Sequence, residues 1–370
     1  MKRNSAYDLM KIISMFLIVL CHMITHGQVL SYINNPTLEI MIQFLFLGTL
    51  VHVNSFVLVT GYFQCENSFK SSKVWSLINA SMFYKIVFLL IFGLGFHYSL
   101  SALQVFKELL PFNLDEYWFI RTYIFLYCLS PFINLLIKKL KQKQYQNLLL
   151  VMFLIFSVLP YITGNQAFSN DGYTLYHFIF LYLIGAYLRK YPIQKSFIFE
   201  RCSTKMFQLI CIIFLFVGWI SNFITYTAFA SFSGTHSIIE WFSNNIMTMT
   251  YAYSNPLLLL QSISYFLLFS TFTFTSKWIT SISACTMGVY LIHDHPLVNS
   301  WLYNALGIRQ ESITSYQILL QIVVSAILVF VVCLIIEFLR RQLFKFIYHR
   351  KFSKRIRQRY HNWIDQLTHV

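Results

Sequence analysis

Three ionisable side chains share one face of the first apolar run of the sequence: Asp8, Lys11 and His22. Asp8 and Lys11 are three positions apart, so they lie on the same side of a helix and can pair. Lys11 and His22 are separated by about three full helical turns, or roughly 16 Å along the axis. A neutral imidazole can take a proton from a hydroxyl near neutral pH. The pattern predicts a polar stripe in which Asp8 holds Lys11 and His22 is the general base.

A structural interpretation of the same stripe stays open. His22 could make a hydrogen bond between helices, which is common in membrane proteins. Lys11 could extend its ammonium group to the membrane surface. The alignment of the three residues on one face favours a functional role.

Two further groups of polar residues occur in apolar segments. Glu116, Trp118 and Arg121 open the fourth apolar segment, and an arginine with acidic and aromatic neighbours suits sugar hydroxyls or a phosphate. His293-Asp294-His295 resembles a run of metal ligands. Adjacent residues on a helix point apart, however, so we predict no metal site.

Three more polar residues are predicted to support the polar core between helices. Asn54 and Lys85 fall inside the second and third apolar segments, and Asp294 follows His293. Polar groups at such depth are expensive unless they find partners.

Composition then defines the elements that must position these residues. The chain has 370 residues, of which 57% are hydrophobic and only 11% are charged, against about 25% charged in soluble domains. Apolar runs of about 20 residues are typical of membrane-spanning helices. We therefore predict an all-α, polytopic integral membrane protein with about ten transmembrane helices.

The predicted spans and the positions of the cations agree with each other. Most of the 28 Lys and Arg residues fall in every second connecting segment, and these segments all lie on one side of the membrane. Only Lys107 and Arg309 fall in the predicted outer loops on the other side. The positive-inside rule therefore places both termini in the cytoplasm. The spans are predicted at roughly 9–30, 38–63, 74–98, 117–137, 146–163, 173–188, 206–230, 251–274, 278–304 and 314–339.

The net charge of +15 follows from this bias and from a basic tail. We predict a membrane domain over residues 1–340 and a cytoplasmic tail over 341–370, which lies on anionic membrane lipids. The charge gives no reason to invoke nucleic acid, and the oligomeric state is left open.

Several motifs, in order along the chain, resemble the acyltransferase-3 family of membrane-bound acyltransferases. Tyr7-Asp8-Leu9-Met10-Lys11 with His22 resembles its basic-x10-His motif. Val53–Phe63, Leu181–Tyr187 and Gly288–His293 resemble motifs of later spans. More narrowly, the chain resembles the branch that O-acetylates bacterial surface polysaccharides, which implies a bacterial plasma membrane.

The resemblance implies a reaction and a division of roles. The donor would be cytoplasmic acyl-CoA, most simply acetyl-CoA, bound by Lys11, Lys70 and Lys73, with no tightly bound cofactor. His22 would be the general base or a transient acyl carrier. The acceptor would be a hydroxyl of a surface glycan or of a lipid-linked sugar, bound by Glu116, Trp118, Arg121 and His293.

Two features of the sequence depart from the family pattern. Many relatives have Arg where this chain has Lys11, and an Arg-x-Arg pair near the third span is replaced by Lys70, Lys73 and Lys85. The alternative function is a secondary transporter or flippase for a glycan or a small polar solute. Such proteins usually show repeats and broken helices in matching halves, and the sequence shows neither.

Overall fold

The computed structural model describes residues 3–95, 101–110, 117–163, 170–196, 199–230, 238–310 and 312–349. In these ranges the chain is helical, and its only β feature is an isolated bridge between Ile33 and Ile313. The α-helices are α1 (Ser5–Thr25), α2 (Pro36–Thr49), α3 (Val51–Gln64), α4 (Ser71–Leu90), α5 (Ala102–Leu109), α6 (Trp118–Lys139), α7 (Gln142–Phe153), α8 (Leu159–Thr163), α9 (Leu175–Lys190), α10 (Thr204–Ala230), α11 (Ile238–Met249), α12 (Pro256–Ser270), α13 (Lys277–Ser283), α14 (Thr286–His293), α15 (Pro296–Ala305) and α16 (Gln317–His349).

Within the described residues, 7 helical segments are long and apolar enough to cross a membrane. They coincide with predicted spans one to five, seven and ten. They are Ser5–Ser31, Pro36–Gln64, Ser71–Gly95, Trp118–Lys139, Gln142–Thr163, Thr204–Ala230 and Gln317–Ile347. The all-α, polytopic membrane architecture is therefore confirmed. The exact count of ten and the sidedness of the termini stay predictions.

The remaining three predicted spans are helical but short or divided. The sixth is α9, with 16 residues, and the eighth is α12, with 15 residues, each short of the ~20 residues that cross a bilayer unaided. The ninth consists of α13, α14 and α15 in succession. Two further helices, α5 and α11, lie between the predicted spans.

Helix breaks that we did not expect interrupt two of the predicted spans. The second span divides at Leu50, where α2 ends and α3 begins. The ninth divides at Ala284–Cys285 and again at Asp294–His295. The expectation of unbroken helices was wrong. A side-chain cap accounts for the break at His295, whereas no side chain caps the helices that begin after Leu50 and Cys285.

Side-chain caps set the start of the helices that carry the site. Asn4 accepts a hydrogen bond from the Ala6 N–H and starts α1. His295 accepts one from the Leu297 N–H, and Pro296 then occupies the first turn of α15. Proline suits this position because the missing N–H has no helical partner there. The chain therefore turns sharply between α14 and α15, at Asp294.

The centre of the bundle is packed through small residues. At Gly185 of α9 a Cβ would lie 2.2 Å from the Leu58 carbonyl oxygen of α3, and at Gly61 of α3 it would lie 2.2 Å from the Tyr182 carbonyl oxygen. Only glycine permits this approach, which is the usual way that membrane helices pack closely. This contact fixes α3 beside α9.

Helix α1 lies inside the bundle and contacts α2, α3, α12, α13, α14 and α16. The helix α16 that packs on α1 is itself tied to α4, since its buried Glu337 forms a bidentate ion pair with Arg340 at 2.7 Å and accepts a hydrogen bond from Tyr84 of α4 at 2.7 Å. Glu337 reaches α14 because residue 288 is glycine, where a Cβ would come 2.4 Å from the carboxylate carbon. Helix α16 continues through the predicted domain boundary at residue 340 to His349, and residues 350–370 of the predicted tail lie outside the described residues.

Candidate active site

Four side chains from two helices meet at the end of α1 opposite Lys11. His22 lies in the last turn of α1 and His26 directly follows that helix, while His293 ends α14 and Asp294 directly follows it. His22 Nδ1 lies 3.0 Å from His293 Nε2 and 3.2 Å from Asp294 Oδ1, and His26 Nε2 lies 3.4 Å from the same oxygen. We call these four residues the histidine cluster. His22 and His26 reach it together because they are one helical turn apart.

Hydrogen bonding determines which nitrogen of His22 is free. His293 Nδ1 lies 2.6 Å from the Val289 carbonyl oxygen, which can only accept, so this nitrogen carries the proton. In a neutral ring His293 Nε2 is then an acceptor. His22 Nδ1 therefore donates, to His293 Nε2 or to Asp294. The remaining nitrogen of neutral His22, Nε2, keeps its lone pair and can act as a base.

The outer edge of the cluster is held by residues of α15 and the segment after it. The Asn299 amide lies 2.8 Å from His26 Nδ1. Arg309 donates two hydrogen bonds to the His26 carbonyl oxygen, at 3.2 and 2.9 Å. The His26 ring also stacks on Tyr303, with 6.1 Å between ring centres. The end of α1 is thus fixed from several sides.

A cavity of about 750 Å³ lies against His22, His26 and Asp294. It is large enough for a small-molecule substrate. Its walls are rich in aromatic side chains, namely Phe46, Phe56, Trp118, Phe119, Tyr173, Tyr251, Tyr253 and Tyr290. Pro296, Ser300 and Arg309 lie at its edge, where Pro296 and Ser300 are exposed. We call this space the aromatic cavity.

The cavity continues along α1 toward Lys11. Met15, Ile18 and His22 line it and follow one another at helical spacing. Lys11 precedes Met15 by one turn on the same face. Its ammonium group makes no hydrogen bond or ion pair with any described residue. The charges of Asp8, Arg3 and Lys73 act on it. Lys11, Met15, Ile18 and His22 therefore follow one another along one side of α1.

The predicted Asp8–Lys11 ion pair is wrong. Asp8 forms a bidentate pair with Arg3, with both distances 2.8 Å, and accepts hydrogen bonds from Thr280 at 3.0 Å and Ser283 at 3.2 Å. Arg3 precedes α1 and reaches Asp8 from outside the helix, which helical spacing alone could not reveal. Asp8 consequently fastens α1 to α13 and leaves the Lys11 ammonium unpaired among the described groups.

The other predicted donor-binding residues lie near Lys11. Lys70 and Lys73 are exposed at the start of α4. The Lys73 ammonium is 5.2 Å from the centre of the Tyr127 ring and 3.4 Å from Gln64 Oε1. Its charge is close enough to Lys11 and to Lys70 for mutual repulsion. We call Lys11, Lys70 and Lys73 the lysine cluster.

An ion pair stands beside the lysine cluster on the same end of the bundle. Arg189 Nη2 is 2.6 Å from Glu66 Oε2, and its guanidinium lies 5.1 Å from the centre of the Tyr62 ring. The hydrogen bond from Arg189 holds the pKa of Glu66 below its usual range. Glu66 is thereby neutralised by Arg189 and does not cancel the charge of the lysines.

The predicted acceptor residues do not all lie at the aromatic cavity. Trp118 lines the aromatic cavity, with its ring 4.4 Å from the centre of Tyr173. His293 is buried directly behind His22. Arg121 is exposed and is not among the residues that line the cavity, so its predicted place there was wrong. The sequence indicated its depth in the helix but not the side it faces. Glu116 lies outside the described residues.

Of the predicted polar supports, Asn54 and Lys85 have partners in the core. Asn54 donates to the Tyr253 carbonyl oxygen at 3.0 Å and lies 3.2 Å from His177 Nε2. Lys85 is fully buried, 3.5 Å from Glu108 Oε2 of α5. Asp294 was predicted to support the polar core, but the structure places it in the histidine cluster itself.

Several residues of the site were not predicted. His26, Asn299 and Arg309 hold the end of α1, and His52 lines the cavity. His26 had a signal in the sequence, its spacing of four from His22. The others are remote in sequence from the residues that they contact, so no local pattern could identify them.

A metal ion could be held by three members of the cluster. One ligand atom each from His22, His26 and Asp294 lies within 4.8 Å of the others. As predicted, His293, Asp294 and His295 do not converge on one point: His295 is not part of the cluster, and its Nε2 lies 3.8 Å from Glu108 Oε2. Hydrogen bonds among the same atoms account for the positions of His22, His26 and Asp294, and we assign no metal.

The fold and the site define a polytopic helical membrane protein with a histidine cluster against a substrate-sized cavity. The family model for an acyltransferase domain, acyltransferase-3, matches residues 4–338. The chain therefore belongs to the acyltransferase-3 family and is a membrane acyltransferase. The family resemblance of the motifs is thereby confirmed. No curated protein and no solved structure matches the chain.

Proposed function

We propose that this protein moves an acetyl or other short acyl group from acyl-CoA to a hydroxyl of a cell-surface polysaccharide or its lipid-linked precursor. The membrane would be a bacterial plasma membrane, with the donor on the cytoplasmic side. The observation that carries the proposal is the position of His22. Its Nδ1 is engaged by His293 and Asp294, its ring borders the aromatic cavity, and its helical face leads to Lys11.

His22 acts as the general base in this proposal. Its Nε2 takes the proton of the acceptor hydroxyl while the oxygen attacks the thioester carbon. The C–O bond forms, the C–S bond breaks, and the proton passes from the imidazolium to the leaving thiolate to give free CoA. Asp294, 3.2 Å from Nδ1, stabilises the imidazolium between the two proton transfers.

The lysine cluster suits the charged part of the donor. Coenzyme A carries phosphate groups, and Lys11, Lys70 and Lys73 bring three cations to one end of α1. Met15 and Ile18 then provide an apolar path from Lys11 to His22. A narrow thioester arm on this path brings its carbonyl to the imidazole.

The aromatic cavity suits a sugar acceptor. Sugar rings carry apolar C–H faces that pack on aromatic side chains, and Trp118 and Tyr253 line the cavity with such surfaces. Asn299, Ser300 and Arg309 add polar groups that hydroxyls can bind. A hydroxyl that enters from this edge meets His22 at the back of the cavity.

The proposal is tested with purified protein in detergent, radiolabelled acetyl-CoA and a hydroxyl-bearing surface glycan. We expect wild-type protein to acetylate the glycan, and His22→Ala to lower kcat by about 10²- to 10⁴-fold while it inserts and folds normally. Full activity of His22→Ala would refute the base. Movement of glycan across vesicles by wild-type protein without acylation would favour the transporter instead.

A further inference from the structure

A third histidine, besides His22 and His26, lines the aromatic cavity and has no hydrogen-bond partner among the described residues. His52 lies in the first turn of α3 and is 1% exposed. Neither Nδ1 nor Nε2 makes a hydrogen bond with any described residue. Yet His52 is one of the residues that line the cavity.

A buried imidazole that makes no hydrogen bond destabilises the folded protein. A buried polar group left without a hydrogen bond costs about 1–3 kcal/mol. A neutral imidazole always carries one N–H donor and one lone-pair acceptor, whichever tautomer it adopts. Each ring nitrogen has less than 1 Å² accessible in this structure, so a turn of the ring has to bring the N–H to an oxygen in the cavity.

The start of α3 lies in the same part of the cavity wall. The break at Leu50 makes α3 begin inside the bundle, and no side chain caps its first turn. Leu50, His52 and Val53 all line the cavity. The positive N-terminal end of α3 is offset by the negative C-terminal end of α2, which ends at Thr49, so the imidazole of His52 is the donor that this wall offers.

His52 and His22 border one space. Both line the cavity, and a charge on His52 would act on His22. The two rings come from different helices, α3 and α1, which pack against each other. An acyl carbon attacked beside His22 would therefore have its oxygen within the region that His52 borders.

We propose that His52, in the first turn of α3, is the hydrogen-bond donor of the oxyanion site of the acyl transfer. This proposal rests on the proposed function. As the acceptor oxygen bonds to the thioester carbon, the carbonyl π pair moves onto oxygen, and the His52 N–H donates a hydrogen bond to that oxyanion. When the C–S bond breaks the pair returns, the ester carbonyl re-forms and the thiolate leaves. His52 neither gains nor loses a proton in the cycle.

The experiment compares two substitutions at His52 with a matched histidine elsewhere. His52→Leu removes the donor, and His52→Gln restores an N–H on a side chain of similar reach. His177→Leu is the control, because His177 is also fully buried, has one unpaired ring nitrogen among the described groups, and does not line the cavity. For each folded variant, kcat and both KM values are measured with acetyl-CoA and the glycan.

We expect His52→Leu to lower kcat by about 10²- to 10³-fold, the effect of removing one oxyanion donor. Both KM values should stay within about threefold, because the oxyanion exists only in the transition state. His52→Gln should recover at least about tenfold of kcat over His52→Leu, and His177→Leu should keep kcat within about threefold. Should His52→Leu not fold, His52→Phe, which is also without a polar atom, takes its place.

Three results would overturn the oxyanion site: an unchanged kcat in His52→Leu, a change confined to KM, or equal kcat in the Leu and Gln variants. His22→Ala is assayed in parallel to separate the two proposals. An inactive His22→Ala beside a fully active His52→Leu refutes the oxyanion site alone. An active His22→Ala refutes the proposed function.

Discussion

The two ends of α1 carry the same kind of charged and polar side chains but are built in opposite ways. At the His22 end, hydrogen bonds with His293, Asp294 and Asn299 hold His22 and His26. At the Lys11 end, the nearest carboxylate, Asp8, is taken by Arg3. The Lys11 ammonium therefore stays available.

The difference matches what each end has to do in the proposed reaction. A general base must be held in one tautomer and one orientation, because small displacements reduce the rate strongly. A cation that binds a phosphate must remain unpaired until the ligand arrives, since an ion pair would have to be broken first. The His22 end, which we call the fixed end, suits the chemical step. The Lys11 end, which we call the open end, suits binding of the donor.

The largest expected effect after His22 itself falls on the fixed end. Asp294→Asn replaces an acceptor of the His22 Nδ1 proton with an amide that can donate, which favours the wrong tautomer of His22. We expect kcat to fall by about 10- to 100-fold, since His293 Nε2 remains as a second acceptor. Both KM values should change little in steady-state kinetics.

The matched control for Asp294 is Asp171→Asn. Asp171 is a partly buried carboxylate of the loop before α9 and does not line the cavity. The kcat of Asp171→Asn should equal that of wild-type protein. If Asp294→Asn kept full kcat, the fixed geometry of the cluster would not matter for the reaction.

The open end should respond in binding instead. Lys11→Ala removes a cation from the donor path, so we expect the KM for acyl-CoA to rise by about tenfold with kcat within about threefold. Lys11→Arg, which keeps the charge, should restore most of the affinity. Donor titration at saturating acceptor measures both values.

Lys190→Ala is the control for Lys11. Lys190 lies at the same end of the bundle, but its ammonium is bound to the Ile137 and Leu140 carbonyl oxygens at 3.1 and 3.3 Å. Its removal should leave the donor KM unchanged. Equal donor KM values in Lys11→Ala and wild-type protein would contradict the donor role of Lys11.

The smallest expected effect concerns the cavity wall. Trp118→Ala should raise the acceptor KM by about three- to tenfold, the usual value of one aromatic contact, and leave the donor KM unaltered. Arg121→Ala, three positions along the same helix but exposed, should change neither. A larger effect at Arg121 than at Trp118 would contradict the assignment of the aromatic cavity to the acceptor.

Much of the helical framework could be predicted because it depends on local patterns. The apolar runs gave the long spans, and helical periodicity placed Lys11, Met15, Ile18 and His22 on one face. The short helices α9 and α12 and the break at Leu50 were harder to place. Their form depends on packing against neighbours, as in the close contact of Gly185 with Leu58.

The site was predicted only where it lies on α1. His22 meets His293 across 271 positions, and only the folded chain brings them together. The partner of Asp8 was misjudged because spacing within a helix suggested Lys11, whereas Arg3 reaches it from the preceding segment. His52 was not predicted as a site residue, since what distinguishes it is the lack of a hydrogen-bond partner among the described residues beside a cavity, which only the fold shows.

The most direct test of the account is the sidedness of the transfer. Purified protein is reconstituted in one orientation into liposomes, with radiolabelled acetyl-CoA sealed at the Lys11 end and a membrane-impermeant glycan supplied at the His22 end. We predict that acetylated glycan accumulates outside, and that His22→Ala in the same orientation yields none. Product formed only when donor and glycan share one compartment would contradict the proposed path along α1.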